Sequence, residues 1–203
     1  MAFEIIQIPR DDASIRSYVE QYKNFRLYSL KAAPECFGST YAREIAFTDD
    51  VWYDRLANPK ATTFVAMQSD RIVCTLTAIG PLPFLAEEYE ESPPSANPWE
   101  ASRSEGAEAL SQYHMRINGM FTLPEARGQG IAKALLEKCL AYGSEEARNV
   151  GMAFAASIVV DDDNPPARAL YSKCGFVAIS QKPLFIESHR IVVLMKYTPD
   201  SVR

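Results

Sequence analysis

The spacing of apolar positions changes several times along the chain, and each change marks an element. Residues 3–8 alternate and are rich in isoleucine, which predicts a strand closed by Pro9. Asp11 or Asp12 suits the cap of a following helix. Ile15, Tyr18, Val19, Tyr22, Phe25, Leu27 and Leu30 then recur at near-helical spacing, so a helix is predicted to stop before Pro34. Thr48 with Asp49 and Asp50 marks another helix start, leading into Val51, Trp52, Arg55 and Leu56. Residues 62–67 read as a strand, Ser69-Asp70 as a turn, and 71–79 as the hairpin partner. From about 80 to 110 the pattern breaks. Pro81, Pro83, Pro93, Pro94 and Pro98 share this segment with Glu87, Glu88, Glu90 and Glu91, which predicts a long insertion or lid rather than a second domain.

Regular periods return at 112–122, a long strand interrupted at Asn118-Gly119. A glycine inside a strand marks a bulge or a close backbone approach. A helix follows from about Gly130 towards Asn149, with Ile131, Leu135, Leu136, Cys139 and Leu140 as its buried stripe and Gly151 placed for its C-terminal cap. Residues 152–160 are nearly all apolar, as a central strand covered on both faces requires. Asn164 caps a short helix that has Pro165 at its first position and Gly175 just past its end. Residues 176–180 and 190–197 are the last two strands. The expected fold class is α/β in one domain over 1–203: a mixed, mostly antiparallel sheet of six to seven strands flanked by helices. The strands ending near Thr122 and Val159, joined by a helix, are expected to run parallel and splay apart.

Composition narrows the partners. The 203 residues are 47% hydrophobic and 23% charged with a net charge of -5, an ordinary globular balance that argues against a nucleic-acid surface. No apolar run approaches the roughly 20 residues of a membrane span. The start of the chain has Glu4 inside it and lacks the apolar core of a signal peptide, so a cytoplasmic protein is expected. The four cysteines form no C-x-x-C pair and His114 and His189 are the only histidines, so no metal site is expected. The thiols are expected to be free in a reducing compartment.

The chemistry concentrates in the loop before the 130–149 helix. Arg127 to Ala132 spells R-x-x-G-x-A. Two glycines at a helix start let backbone N–H groups converge, and the helix dipole adds partial positive charge there. Such a loop suits an anion, most of all a pyrophosphate. A P-loop needs Gly-Lys-Ser/Thr at its end, whereas Gly130 is followed by Ile131-Ala132. A dinucleotide fold wants a third glycine or alanine where Lys133 stands, and an earlier strand–loop–helix unit.

The loop, with Leu123-Pro124-Glu125-Ala126 before it, resembles the cofactor motif of the GNAT family of N-acetyltransferases. A second block, from Asn164 through Ala167, Leu170 and Tyr171 to Gly175-Phe176, resembles that family's downstream N-x-x-A-x-x-L-Y-x-x-x-G-F signature. The resemblance covers about 61–196 well, apart from the proline-rich insertion. It implies acetyl-CoA as co-substrate, without a metal. It also implies backbone contacts from Met120, Phe121 and Thr122 to the pantetheine arm. The diphosphate would meet Arg127, Gly128, Gln129, Gly130, Ile131 and Ala132. Asn164, Ala167, Tyr171 and Lys173 would add further cofactor contacts, and Lys133 and Arg168 are additional candidates for the phosphates.

Tyr171 stands at the family's general-acid position. A phenol with a pKa near 10 is matched to returning a proton to a leaving thiolate. The strand before the loop has no acid between Gln112 and Thr122, so His114 is the candidate general base there. Glu87 or Glu88 could draw in a cationic amine. The expected reaction is direct acetyl transfer to a primary amine of a small molecule or peptide, by a monomer or homodimer. The net negative charge favours a cationic acceptor through steering. The alternative is a non-catalytic acyl-CoA-binding module, favoured by the absent strand glutamate and opposed by Tyr171.

Overall fold

The computed structural model describes residues 2–82, 112–183 and 189–199. The 80–110 insertion, with Glu87 and Glu88, therefore lies outside the described residues except for its first three positions. Seven strands form one mixed sheet: β1 (Glu4–Gln7), β2 (Ala61–Gln68), β3 (Arg71–Leu82), β4 (Tyr113–Thr122), β5 (Phe154–Asp161), β6 (Val177–Pro183) and β7 (Ile191–Tyr197). Their order across the sheet is β1-β2-β3-β4-β5-β7-β6. The helices are α1 (Asp12–Ala32), α2 (Tyr41–Glu44), α3 (Asp49–Ala57), α4 (Ile131–Asn149) and α5 (Pro165–Lys173). Two compact units divide the chain, one of residues 1–78 and 119–139, the other of 79–118 and 140–203. The boundaries fall inside β3, β4 and α4, which continue unbroken from one unit into the other.

In the first unit β1 runs antiparallel to β2, with Glu4 opposite Met67. Ser69 and Asp70 join β2 to β3 with φ of 49° and 60°. Two positive φ values in a two-residue loop are the primed hairpin turn, whose twist matches the flanking strands. Asp11 caps α1 by accepting a 2.9 Å bond from the Ser14 amide. Ile15, Leu30, Trp52, Phe64 and Leu76 are all but sealed from solvent, so the apolar stripe of α1 does face a core. Between α1 and α3 the structure adds a 3-10 turn, Pro34–Cys36, and the one-turn helix α2, neither of which the apolar pattern predicts. A four-residue helix is too short to show a period. Its cap, Thr40 Oγ1 accepting from the Arg43 amide at 3.2 Å, and the ion pairs of Glu44 hold it instead.

In the second unit Tyr113–Ile117 of β4 pairs in parallel with Phe154–Ile158 of β5. Both strands continue past that ladder, to Thr122 and Asp161. The antiparallel pairs β5–β7 and β7–β6 complete this part of the sheet. The parallel pair is joined through α4, the crossover expected for a strand–helix–strand unit. Asn164 caps α5 with Oδ1 accepting from the Ala167 amide at 3.2 Å, and Pro165 sits in its first turn.

One strand boundary departs from expectation. The Gly80-Pro81 pair reads as a breaker, yet β3 runs on through both to the buried Leu82. A Cβ on Gly80 would stand 2.6 Å from the His114 carbonyl oxygen and 2.9 Å from Met115 Cγ, so glycine permits a close strand approach. The obstacle is backbone and cannot rotate away. Gly80→Ala is expected to cost roughly 1–3 kcal/mol of stability. Urea titration would register this as a lower midpoint with an unchanged slope.

Candidate functional site

The predicted glycine loop is formed as its residue types dictate. β4 contains Gly119 at φ +64°, a conformation that glycine supplies without a Cβ penalty. The Gly119 carbonyl accepts a 3.2 Å bond from Thr75 Oγ1. Beyond β4 the chain turns through the 3-10 segment Pro124–Ala126 and enters the loop. Gly128 and Gly130 have φ of +75° and +78°. No protein atom lies within 4 Å of where a Cβ would stand on either one, so backbone conformation rather than space selects glycine here. The first bond of α4 runs from the Ala134 amide to the Gly130 carbonyl at 3.0 Å. The amides of Ile131, Ala132 and Lys133 precede it and are the first-turn donors that helix geometry leaves without intrahelical acceptors. Residues 127–130 are exposed.

Side chains brace this loop. Arg127 Nε donates to the Thr122 carbonyl at 3.2 Å, and its guanidinium lies 5.6 Å from the centre of the Phe121 ring. Phe121 is buried among Phe25, Tyr28 and Phe37, with ring centroids 5.9, 6.4 and 6.1 Å away. Gln129 Nε2 donates to the Glu125 carbonyl and its Oε1 accepts from Gln68 Nε2, both at 3.1 Å. Glu125 pairs with Arg71. Its own backbone amide and the Arg71 guanidinium hold its carboxyl below the usual range. Met120 and Thr122 are half-buried, and Thr122 Oγ1 lies 3.1 Å from Cys74 Sγ. The groove of about 350 Å³ walled by Phe25, Tyr28, Ile72 and Leu123 is lined by none of the sequence-predicted site residues.

The second unit holds the remaining predicted residues. Tyr171 is buried in α5, its ring 6.1 Å from that of Phe176, and its carbonyl accepts from the Phe176 amide at 3.0 Å. Asn164 and Ala167 are half-buried and joined by the cap bond; Lys173 is exposed. Arg168 pairs with Asp162 at 2.6 Å, and Lys133 on α4 pairs with Glu137 at 2.7 Å.

His114 departs from its expected role. It is 1% exposed, and its Nε2 lies 2.8 Å from Ser157 Oγ on the neighbouring strand β5. A base must reach the proton it removes, and a ring sealed from solvent and engaged with Ser157 does not meet an amine arriving from water. Its placement at an inward position of β4, next to a central strand, is the reason.

Two thiols are also removed as nucleophiles. Burial pushes Cys74 and Cys139 up to about 12, so both are protonated at neutral pH.

A charged cluster escaped the sequence reading. Glu44 accepts from Arg26 Nε and Nη2 at 3.0 and 2.7 Å and from Arg55 Nη1 at 2.9 Å. All three residues are buried, and Arg26 also stacks 4.5 Å from the centre of the Phe37 ring. Two guanidiniums share one carboxylate. The only signal available beforehand was an arginine inside the apolar stripe of α1. Among the described residues no group of three or more His, Cys, Asp or Glu is placed to hold a metal, and no helix is long and apolar enough to cross a membrane.

Comparison with known proteins decides the family. The model of the acetyltransferase (GNAT) family matches residues 27–176, most of the chain. The chain belongs to that family. No curated protein matches it in sequence. Among solved structures, a GNAT-family acetyltransferase from Streptococcus pneumoniae is similar at a TM-score of 0.66 with 14% identity, over 97% of this chain and 99% of that one. NAA60 of Arabidopsis thaliana, solved in complex with acetyl-CoA, gives 0.62 and 15% over 98% and 99%. The putative acetyltransferase yncA of Salmonella typhimurium, solved with its cofactor acetyl-CoA, gives 0.57 and 14% over 98% and 94%. At such identities the likeness is one of fold, and the seven-stranded mixed sheet of this GNAT protein agrees with it.

Proposed function

We propose that this GNAT protein transfers the acetyl group of acetyl-CoA directly to a primary amine of a small molecule or peptide. The observation that carries the reading is the exposed loop at Gly128 and Gly130, whose positive φ values open onto the first-turn amides of α4. Such amides bind a diphosphate, with Arg127 beside them as a phosphate partner. The backbone of Met120, Phe121 and Thr122 offers its polar groups to the pantetheine amides, as an added strand would. Asn164 and Ala167 at the start of α5 and Lys173 at its end supply further contacts.

The chemistry then needs little covalent participation by the protein. The amine nitrogen attacks the thioester carbonyl carbon, a C–N bond forms, and the C–S bond breaks. The nitrogen loses a proton, and the thiolate gains one from the Tyr171 hydroxyl. Solvent restores the phenol. His114 acts by positioning β4 against β5, and removal of the amine proton falls to water.

Calorimetry with acetyl-CoA, followed by thiol release over a panel of primary amines, tests this reading. Binding and release are expected together; binding without release from any amine would favour an acyl-CoA-binding module. Gly130→Ala sharpens the test. Open space surrounds that position, so the substitution meets strain of about 1–2 kcal/mol rather than a clash. Acetyl-CoA affinity is expected to fall about tenfold or more while the fold persists.

A further inference from the structure

A buried guanidinium carries more donors than its surroundings use. Arg26 commits Nε and Nη2 to the two oxygens of Glu44, a bidentate fork. The flat face of the group rests on Phe37. Nη1 points away from that fork, is buried, and has no hydrogen-bond acceptor among the described residues. It stands 4.0 Å from the Cβ position of Gly119, the positive-φ residue of β4 that immediately precedes Met120-Phe121-Thr122.

Charge bookkeeping adds an independent argument. Arg26 and Arg55 together bring two positive charges to one carboxylate, Glu44. The side chains of Arg26 and Glu44 are 9% and 3% exposed, so water does little to offset the excess. A buried charge without a counter-charge is costly, and a buried donor without an acceptor adds to that cost. Both costs disappear if an anion meets Nη1. The series would then alternate: Arg55, Glu44, Arg26, anion.

The geometry points to Arg26 Nη1, beside Gly119 of β4, as the recognition point for a carboxylate on the acetyl acceptor. The acceptor class is therefore an amine that also bears a carboxylate, an amino acid or a closely similar amino acid derivative. This assignment rests on the acetyl-transfer reading above and narrows it. It also reverses the expectation from net charge, because the local field at this point is positive although the chain as a whole is negative.

The test compares three acceptors of one side chain: an L-amino acid, its carboxamide, and the amine lacking the carboxyl carbon. The full-length protein is assayed with acetyl-CoA and CoA release is followed. The carboxylate form is expected to give kcat/KM about 10- to 100-fold above the other two, the range of a hydrogen bond to a charged group. Arg26→Lys keeps the charge against Glu44 and loses the second fork. It should abolish the preference, mainly through KM, while turnover of the carboxamide stays near wild type.

Equal or better turnover of the carboxamide by the wild-type protein would overturn the assignment and leave the transfer reading standing. Should none of the three release CoA, the transfer reading fails by itself. Calorimetry with the N-acetyl amino acid against its amide, in the presence of CoA, then tests the carboxylate site alone. Tighter binding of the acid supports it, and equal binding overturns it. The wild-type comparisons do not depend on the variant folding.

Discussion

Tyr171→Phe is expected to lower kcat by about 10²- to 10⁴-fold, the usual contribution of a positioned proton donor. Acetyl-CoA affinity should stay within about twofold. The substitution removes one oxygen and keeps the ring, and the ring packs against Phe176 in a buried position. A loss of folding is therefore not expected, and a thermal melt within a few degrees of wild type would establish that. Stopped-assay rates at saturating amine, beside calorimetric affinity for acetyl-CoA, separate the two effects. If the variant turns over as fast as wild type, the phenol is not the acid and the leaving thiolate takes its proton from water. If affinity falls in step with rate, Tyr171 holds the cofactor rather than serving the chemistry.

Glu44→Gln should give the largest loss of stability. Burial by itself would raise the carboxyl, but hydrogen bonds from Arg26 and the charges of Arg55 and Arg26 bring it down to about 2 from an ordinary 4.5. Removing one member of a buried ionic cluster costs roughly 3–5 kcal/mol, because the remaining charges keep their burial and lose their partner. Urea unfolding at neutral pH would read this directly, and a change under about 1 kcal/mol would mean that the cluster is better solvated than its burial implies.

The pH dependence has a definite sign. A carboxyl whose folded pKa is depressed contributes stability that is present above its unfolded value. That contribution is lost as pH falls from about 4.5 towards 2. The depression corresponds to about 3 kcal/mol. Wild-type stability should therefore decline across this window more steeply than that of Glu44→Gln, and the two curves should converge at the acid end.

Local features were the legible ones. Caps at Asp11 and Asn164, the hairpin turn at Ser69-Asp70, and the glycines at 119, 128, 130 and 151 stand where residue type alone placed them. Each depends on a few consecutive backbone angles, which those residue types control. The apolar run at 152–160 likewise became the central strand β5, buried along nearly all its length. The misses came from pairings between distant segments. Gly80-Pro81 read as a breaker because the close approach of His114 belongs to another strand. His114 read as a base because its pKa suits one, while Ser157, 43 residues away, is what holds it in the interior.

By itself, then, the sequence determined the order of strands and helices, their ends, and the glycine loop ahead of α4, since period, cap and φ preference act over one or two turns of chain. Only the tertiary structure decided which polar side chains are buried and with whom: Arg26 with Glu44, 18 residues apart, and Glu44 with Arg55, 11 apart. Burial sets the strength of every charge and the reach of every proton, and it is a property of neighbours in space that no local pattern records.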